Sequence, residues 1–155
     1  MVCECVRHFL VMFEKMPINK ASVKAGQNGP EVVTACRCVN VGLFVSGDLR
    51  RDVAISLAIG TSEDLRVISF SGNTLRRVSP DERSISFFLL KATEILENLE
   101  AGEAFTMDNG IELTRTSIDH LTESLGTDLT QVPSSSPERF ILDTNLSADR
   151  LEETP

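Results

Sequence analysis

The chain has 155 residues, a hydrophobic fraction of 41%, a charged fraction of 25% and a net charge of −8. That is enough to bury a sizeable core within one domain, 1–155, and no apolar run is long enough to span a bilayer, so a membrane partner is not expected. The net negative charge argues against a uniformly basic nucleic-acid binder, but the distribution is uneven: residues 1–78 carry ten Lys/Arg against seven Asp/Glu, and residues 79–155 five against sixteen. A nucleic-acid face is therefore expected on the first half and at the arginines near Arg76.

Met1-Val2-Cys3-Glu4-Cys5 lacks a basic stretch followed by an apolar one. No signal peptide is expected, and the expected location is the cytoplasm. Val6 to Phe13 is short and nearly continuous in apolar residues, which predicts a buried strand. Glu14 to Asn28, with Pro17, Gly26 and three lysines, reads as a polar loop. Gly29-Pro30-Glu31 marks a helix start, with Pro30 where its missing N–H costs nothing. That helix is expected to run to about Ser46, with Gly47 as its cap.

Cys3/Cys5 and Cys36/Cys38 form two Cys-x-Cys pairs. On a helix a two-residue step turns the second side chain by about 200°, so Cys36 and Cys38 point apart. Reduced, partly buried thiols are expected there rather than a zinc site, and no metal is assigned.

Asp48 to Asp52 reads as a charged turn, Val53 to Ile59 as a second buried strand, Gly60 to Asp64 as a loop and Leu65 to Phe70 as a third strand. The strongest local signal follows. Ser79 is the expected N-cap, with Glu82 reaching back to it, Pro80 at the first helical position and Asp81 and Glu82 in the first turn. Ile85, Phe88, Leu89, Ala92, Ile95, Leu96 and Leu99 then repeat at three- and four-residue steps, predicting a helix of about twenty residues that ends near Gly102.

Ile111 to Arg115 alternates as a strand does, and Ser117 can cap a short helix through Leu125. Asp128 to Val132 and Phe140 to Leu142 are candidate strands around a Pro/Ser loop at Pro133 to Pro137. Ser147 to Glu153 has the pattern of a helix start. The alternation of strands and helices gives an α/β class with a largely parallel sheet and helices on both faces. His8 and His120 stand alone and are expected to be structural or surface residues.

Phe70, Gly72, Leu75, Arg76, Pro80, Asp81, Glu82, Arg83 and Ser84 form the pattern F-x-G-x-x-L-R-x-x-x-P-D-E-R-S. It resembles a signature of the archaeal tRNA pseudouridine(54) N1-methyltransferases, part of the knotted SPOUT superfamily. Val6 to Leu10, Arg37 to Ser46, Asp48 to Val53 and Asn109 to Arg115 resemble further family segments in the same order. The family's Arg-x-Asp near the first helix is replaced here by Glu31 and Val33, its Ser-His-Asp turn reads Ser46-Gly47-Asp48, and its late Gly/Ser-Asp-His reads Asp143-Thr144-Asn145.

The resemblance implies a SPOUT-like fold, S-adenosylmethionine as cofactor, tRNA as partner and methyl transfer to N1 of a T-loop pseudouridine. Leu129 and Asp143 lie nearest the family's earlier cofactor contacts. Arg50, Arg51, Arg76, Arg77 and Arg83 are the candidate RNA contacts, as phosphate clamps or as surface ion-pair partners. No catalytic base is assigned. The family's knot segment, which completes the cofactor pocket and a homodimer interface, is expected to be missing from this chain, leaving an incomplete trefoil knot. Weak cofactor binding and no turnover by the chain alone are expected on that basis. The alternative reading is a non-catalytic RNA-binding or regulatory relative.

Overall fold

The computed structural model describes residues 7–46, 48–124 and 138–143. In chain order the elements are β1 (Arg7–Phe13), α1 (Lys20–Ala25), α2 (Pro30–Leu43), β2 (Phe44–Val45), β3 (Asp48–Leu49), β4 (Val53–Gly60), β5 (Leu65–Ser71), α3 (Glu82–Glu97), β6 (Ala104–Thr106), β7 (Glu112–Thr116), α4 (Ile118–Ser124) and β8 (Glu138–Asp143). The main sheet has the order β6-β7-β5-β4-β1-β8, and β2 and β3 form a separate small hairpin.

The α/β class holds, but the sheet is mixed rather than largely parallel. β1 runs parallel to both β4 and β8, whereas the β4–β5, β5–β7 and β6–β7 pairs are antiparallel. The physical reason is loop length. Only Thr61 to Asp64 separate β4 from β5, and reciprocal backbone bonds between Thr61 and Asp64 (3.2 Å each) close a tight turn. A parallel neighbour needs a crossover of a dozen residues or more.

Alternation along the strands sends side chains into two cores. Val11 and Phe13 of β1, Ile55 and Leu57 of β4, and Ile68 and Phe70 of β5 join Val32, Cys36, Val39 and Leu43 of α2 and Ile85, Leu89, Ala92 and Leu96 of α3. Leu10, Ala58, Leu65 and Val67 form the second cluster with Leu121 of α4. Each fully buried Leu or Ile contributes about 1.5–3 kcal/mol of transfer free energy.

Several boundaries differ from expectation. α2 stops at Leu43 because Phe44 turns extended (φ −110°, ψ 137°) and pairs with Leu49, so Phe44–Val45 is a strand paired with Asp48–Leu49 and not a last helical turn. Gly47, its expected cap, lies outside the described residues. The polar loop 14–28 contains a short helix, α1, whose cap is Asn19. α3 begins at Glu82, not Pro80: Asp81 is the N-cap, and its carboxylate accepts from the Ser84 N–H at 2.8 Å. Ser79 instead donates its N–H to Ser84 Oγ (3.0 Å), and its carbonyl accepts from Asp81 N (2.8 Å), which makes a turn before the helix. α3 ends at Glu97, five residues before Gly102.

The expected short helix is present, with the Ser117 hydroxyl 3.4 Å from the His120 N–H. The strand at Phe140 is β8, an edge of the described sheet. The candidate strand at Asp128 to Val132 and the helix start at Ser147 lie outside the described residues, as do Cys3 and Cys5. No helix among the described residues is long and apolar enough to cross a membrane.

Candidate nucleic-acid interface

The loop from Gly72 to Asp81 links β5 to α3 and carries the signature. Its first turn forms where the Ser71 carbonyl accepts from Thr74 N (3.1 Å) and Leu75 N (2.8 Å). Gly72 extends the β4–β5 pairing, donating to the Val53 carbonyl at 2.8 Å. A Cβ at Gly72 would overlap the Arg50 carbonyl, so a bare backbone is what lets the two segments meet. Leu75 is buried and pins the loop to the core.

The loop is then laced to the turn between β6 and β7. Arg76 N donates to the Asn109 carbonyl at 2.8 Å, and Thr74 Oγ1 donates to the Gly110 carbonyl at 3.2 Å. Gly110 sits at φ +90°, and a Cβ there would strike the Thr74 carbonyl. These constraints bring the two neighbouring arginines together. Arg76 Nη2 and Arg77 Nη2 each lie 3.4 Å from the Asp108 carbonyl. Arg77 holds this position with a left-handed backbone, φ +60°.

Beside Arg77 a cavity of about 610 Å³ opens between α3 and the β6–β7 turn, walled by Phe88, Ile95, Phe105 and Met107, with Lys91 at its edge. Asn109 lines it as well. That residue is 5% exposed, its Oδ1 faces Ile111 N at 3.4 Å, and its Nδ2 has no partner.

The five candidate arginines are all exposed but occupy separate places. Arg76 and Arg77 share the Asp108 carbonyl. Arg51 reaches the start of the same loop, its Nη1 donating to the Gly72 carbonyl at 3.2 Å. Arg50 faces a different cavity of about 470 Å³ with Phe9, Arg37, Cys38 and Val41. Arg83 lines a third, of about 600 Å³, between α1 and α3. Asp143 ends β8, opposite Met12 of β1, and Leu129 lies outside the described residues.

Lys20 and Lys24 of α1 were not anticipated, because the segment reads as loop. The signal was present in Asn19 and Gly26, which bracket a six-residue helix as N-cap and left-handed C-cap.

Cys36 and Cys38 look in different directions. The Cys36 thiol is 3.8 Å from the Glu82 carbonyl, and burial, then the Glu82 charge, push it up to about 12. Burial also raises Cys38, which lines the Arg50 cavity. Among the described residues no group of three or more His, Cys, Asp or Glu is placed to hold a metal. His8 Nε2 lies 2.7 Å from Ser56 Oγ, itself 2.7 Å from Ser69 Oγ, a polar ladder across the sheet face opposite α2 and α3.

Residues 6–132 match a family described as "Putative SAM-dependent RNA methyltransferase". The chain belongs to that family. Over 60 residues it is 52% identical to the tRNA (pseudouridine(54)-N(1))-methyltransferase of Methanococcus maripaludis, covering 38% of this chain and 30% of that protein. It is 35% identical over 97 residues to the enzyme of that name from Haloferax volcanii, covering 63% of this chain and 48% of that protein. A longer match, 29% identical over 146 residues, joins 93% of the chain to 72% of the Natronomonas pharaonis enzyme of that name. The first two matches span between about a third and a half of the relatives' own length.

Proposed function

We propose that the chain is the RNA-holding part, and some of the cofactor-holding part, of an S-adenosylmethionine-dependent methyltransferase acting on N1 of a tRNA pseudouridine. The observation that carries this reading is the pairing of Arg76 and Arg77 on one backbone carbonyl. A carbonyl orients a guanidinium without cancelling its charge. Both cations stay available for phosphate oxygens, which position an RNA without reading its sequence.

The family match and the relatives' names support the cofactor and the substrate. In sheets with parallel strands, ligands bind beyond the carboxyl ends of those strands. Here these are the ends of β1, β4 and β8, with Asp143 last in β8. By resemblance, Asp143 and Leu129 are the proposed cofactor contacts. Bound there, the sulfonium supplies the methyl group.

The arginines do different work. Arg51 precedes β4, and Gly72 follows β5, whose Ser71 pairs with Ala54. They therefore lie at the amino ends of the parallel strands. Seven residues of β1 separate the two ends, about 20 Å at the usual strand rise. Arg51, Arg76 and Arg77 hold the RNA backbone away from the reacting nitrogen and leave proton removal to another group. That separation favours the SPOUT homodimer, in which one protomer's arginines reach RNA docked at its partner's strand ends.

The test is transfer of a tritium-labelled methyl group from S-adenosylmethionine to T-loop RNA by the intact gene product. Incorporation that requires pseudouridine, and is lost with uridine in its place, is expected. Equal labelling of both RNAs, or of neither, overturns the reading.

A further inference from the structure

We propose that the trough between α1 and α3 is a second RNA-contact surface, one that follows a phosphate run through Lys20, Lys24 and Arg83 and stacks a base on Phe87. The proposal rests on the RNA-binding reading above and extends it from the arginines to Lys20, Lys24 and Phe87.

The trough has a volume of about 600 Å³, and Lys20, Lys24, Arg83 and Lys91 line it against two carboxylates, Asp81 and Glu94. Its local charge is therefore positive on a chain whose net charge is −8. Arg83 and Lys91 are two of only five basic residues after position 78, and both face this trough. A solvated acidic surface would not gather them there.

The contrast with Arg115 decides how these charges are used. Arg115 is spent on a bidentate ion pair with Asp64. No carboxylate among the described residues pairs with Lys20, Lys24 or Arg83, and the Asp81 carboxylate is engaged as the α3 cap. Lys20 and Lys24 stand four residues apart, so they project from one face of α1. Val23 is buried and fastens that helix in place.

The apolar component is equally specific. Phe87 is 45% exposed, with the Lys91 ammonium 5.1 Å from its ring centre and Phe88 edge-on at 5.3 Å. Phe88 braces it from the side of the Arg77 cavity, which shares Lys91 and Glu94 with the trough. A braced, half-exposed ring among cations is the arrangement that holds an unpaired base by stacking while its phosphates are neutralised.

Filter binding of a tRNA transcript across a salt series tests this with the 155-residue chain. Lys20→Ala/Lys24→Ala should lower the salt slope by about one to two. Phe87→Ala should weaken binding by about fivefold or more at every salt concentration and keep the wild-type slope. Lys15→Ala, an exposed position outside the trough, should leave the curve unchanged. Thermal melts show that each variant is folded. Wild-type binding with an unchanged slope in the lysine variant overturns the trough and leaves Arg76 and Arg77 standing. No binding by the wild-type chain overturns both.

Discussion

Arg115 grips Asp64 through two parallel hydrogen bonds of 3.1 Å, from Nε to Oδ1 and from Nη2 to Oδ2, and spends Nη1 on the Leu99 carbonyl at 2.7 Å. One side chain of β7 thus ties the β4–β5 turn to the exit of α3. The hydrogen bond from Arg115 holds the Asp64 carboxyl below the usual carboxylate range. A lowered folded-state value gives stability that is present above the unfolded value and lost as pH falls through the folded one. Acid melts should therefore show a loss in that window that Asp64→Asn removes. The effect is modest, because the Asp64 side chain is 46% exposed and solvent screens the pair. Identical acid limbs for the two proteins would rule the linkage out.

The cap of α3 is Asp81, whose carboxylate satisfies an N–H that the helix cannot. Asp81→Ala should cost about 1 kcal/mol in urea denaturation. Ser79→Ala keeps the two backbone groups through which Ser79 acts, and should change stability little. The reverse order would place the helix start at Pro80 after all.

Gly72 is the glycine of the F-x-G pattern, and its role is close approach rather than flexibility. Gly72→Ala forces the Arg50–Arg51 segment away from β5, because the new methyl meets backbone and not a movable side chain. A loss above about 1 kcal/mol is expected. Displacing Arg51 from the Gly72 carbonyl should also weaken RNA binding. A fully stable Gly72→Ala protein would show that the approach is looser than the structure has it.

The elements with strong local signals were legible. β1, β4, β5, α2 and α3 follow from runs of apolar residues and from Pro30. Sheet direction was legible too, had loop length been used, since Thr61 to Asp64 is too short for a crossover. The α3 cap was not, because Ser79, Asp81 and Ser84 all have capping side chains and tertiary contacts choose among them. α1 escaped because six residues give too little periodicity to separate helix from loop. At the interface, Arg76, Arg77 and Arg83 read as one cluster. The Asn109 and Gly110 bonds that pull Arg76 and Arg77 away from Arg83 join residues more than thirty positions apart, which no local pattern records.

The two central cysteines should differ in reactivity. Thiolate is the reacting form, and burial disfavours it at both sites, most at Cys36. In a Cys3→Ser/Cys5→Ser background, a maleimide at neutral pH should label half-buried Cys38 slowly and Cys36 only on unfolding. Peptide mapping after a timed quench distinguishes the two. Faster labelling of Cys36 would contradict its packing against α3.

The last prediction separates charge from backbone at Arg77. Its φ of +60° costs an ordinary residue about 1–2 kcal/mol and costs glycine almost nothing. The 3.4 Å bond to the Asp108 carbonyl is long and exposed, so removing the guanidinium sacrifices little stability. Arg77→Gly should therefore hold or raise the melting temperature while weakening RNA binding. Arg77→Ala keeps the strain and loses the charge, so it should bind as weakly as Arg77→Gly and be less stable. Arg76→Ala/Arg77→Ala should lower the salt slope by about one for each phosphate no longer neutralised, with the loop still held by the Arg76 N–H on the Asn109 carbonyl. Wild-type RNA affinity in Arg77→Gly would remove Arg77 from the interface. A lower melting temperature there would show that the guanidinium, and not the carbonyl lacing, holds the loop.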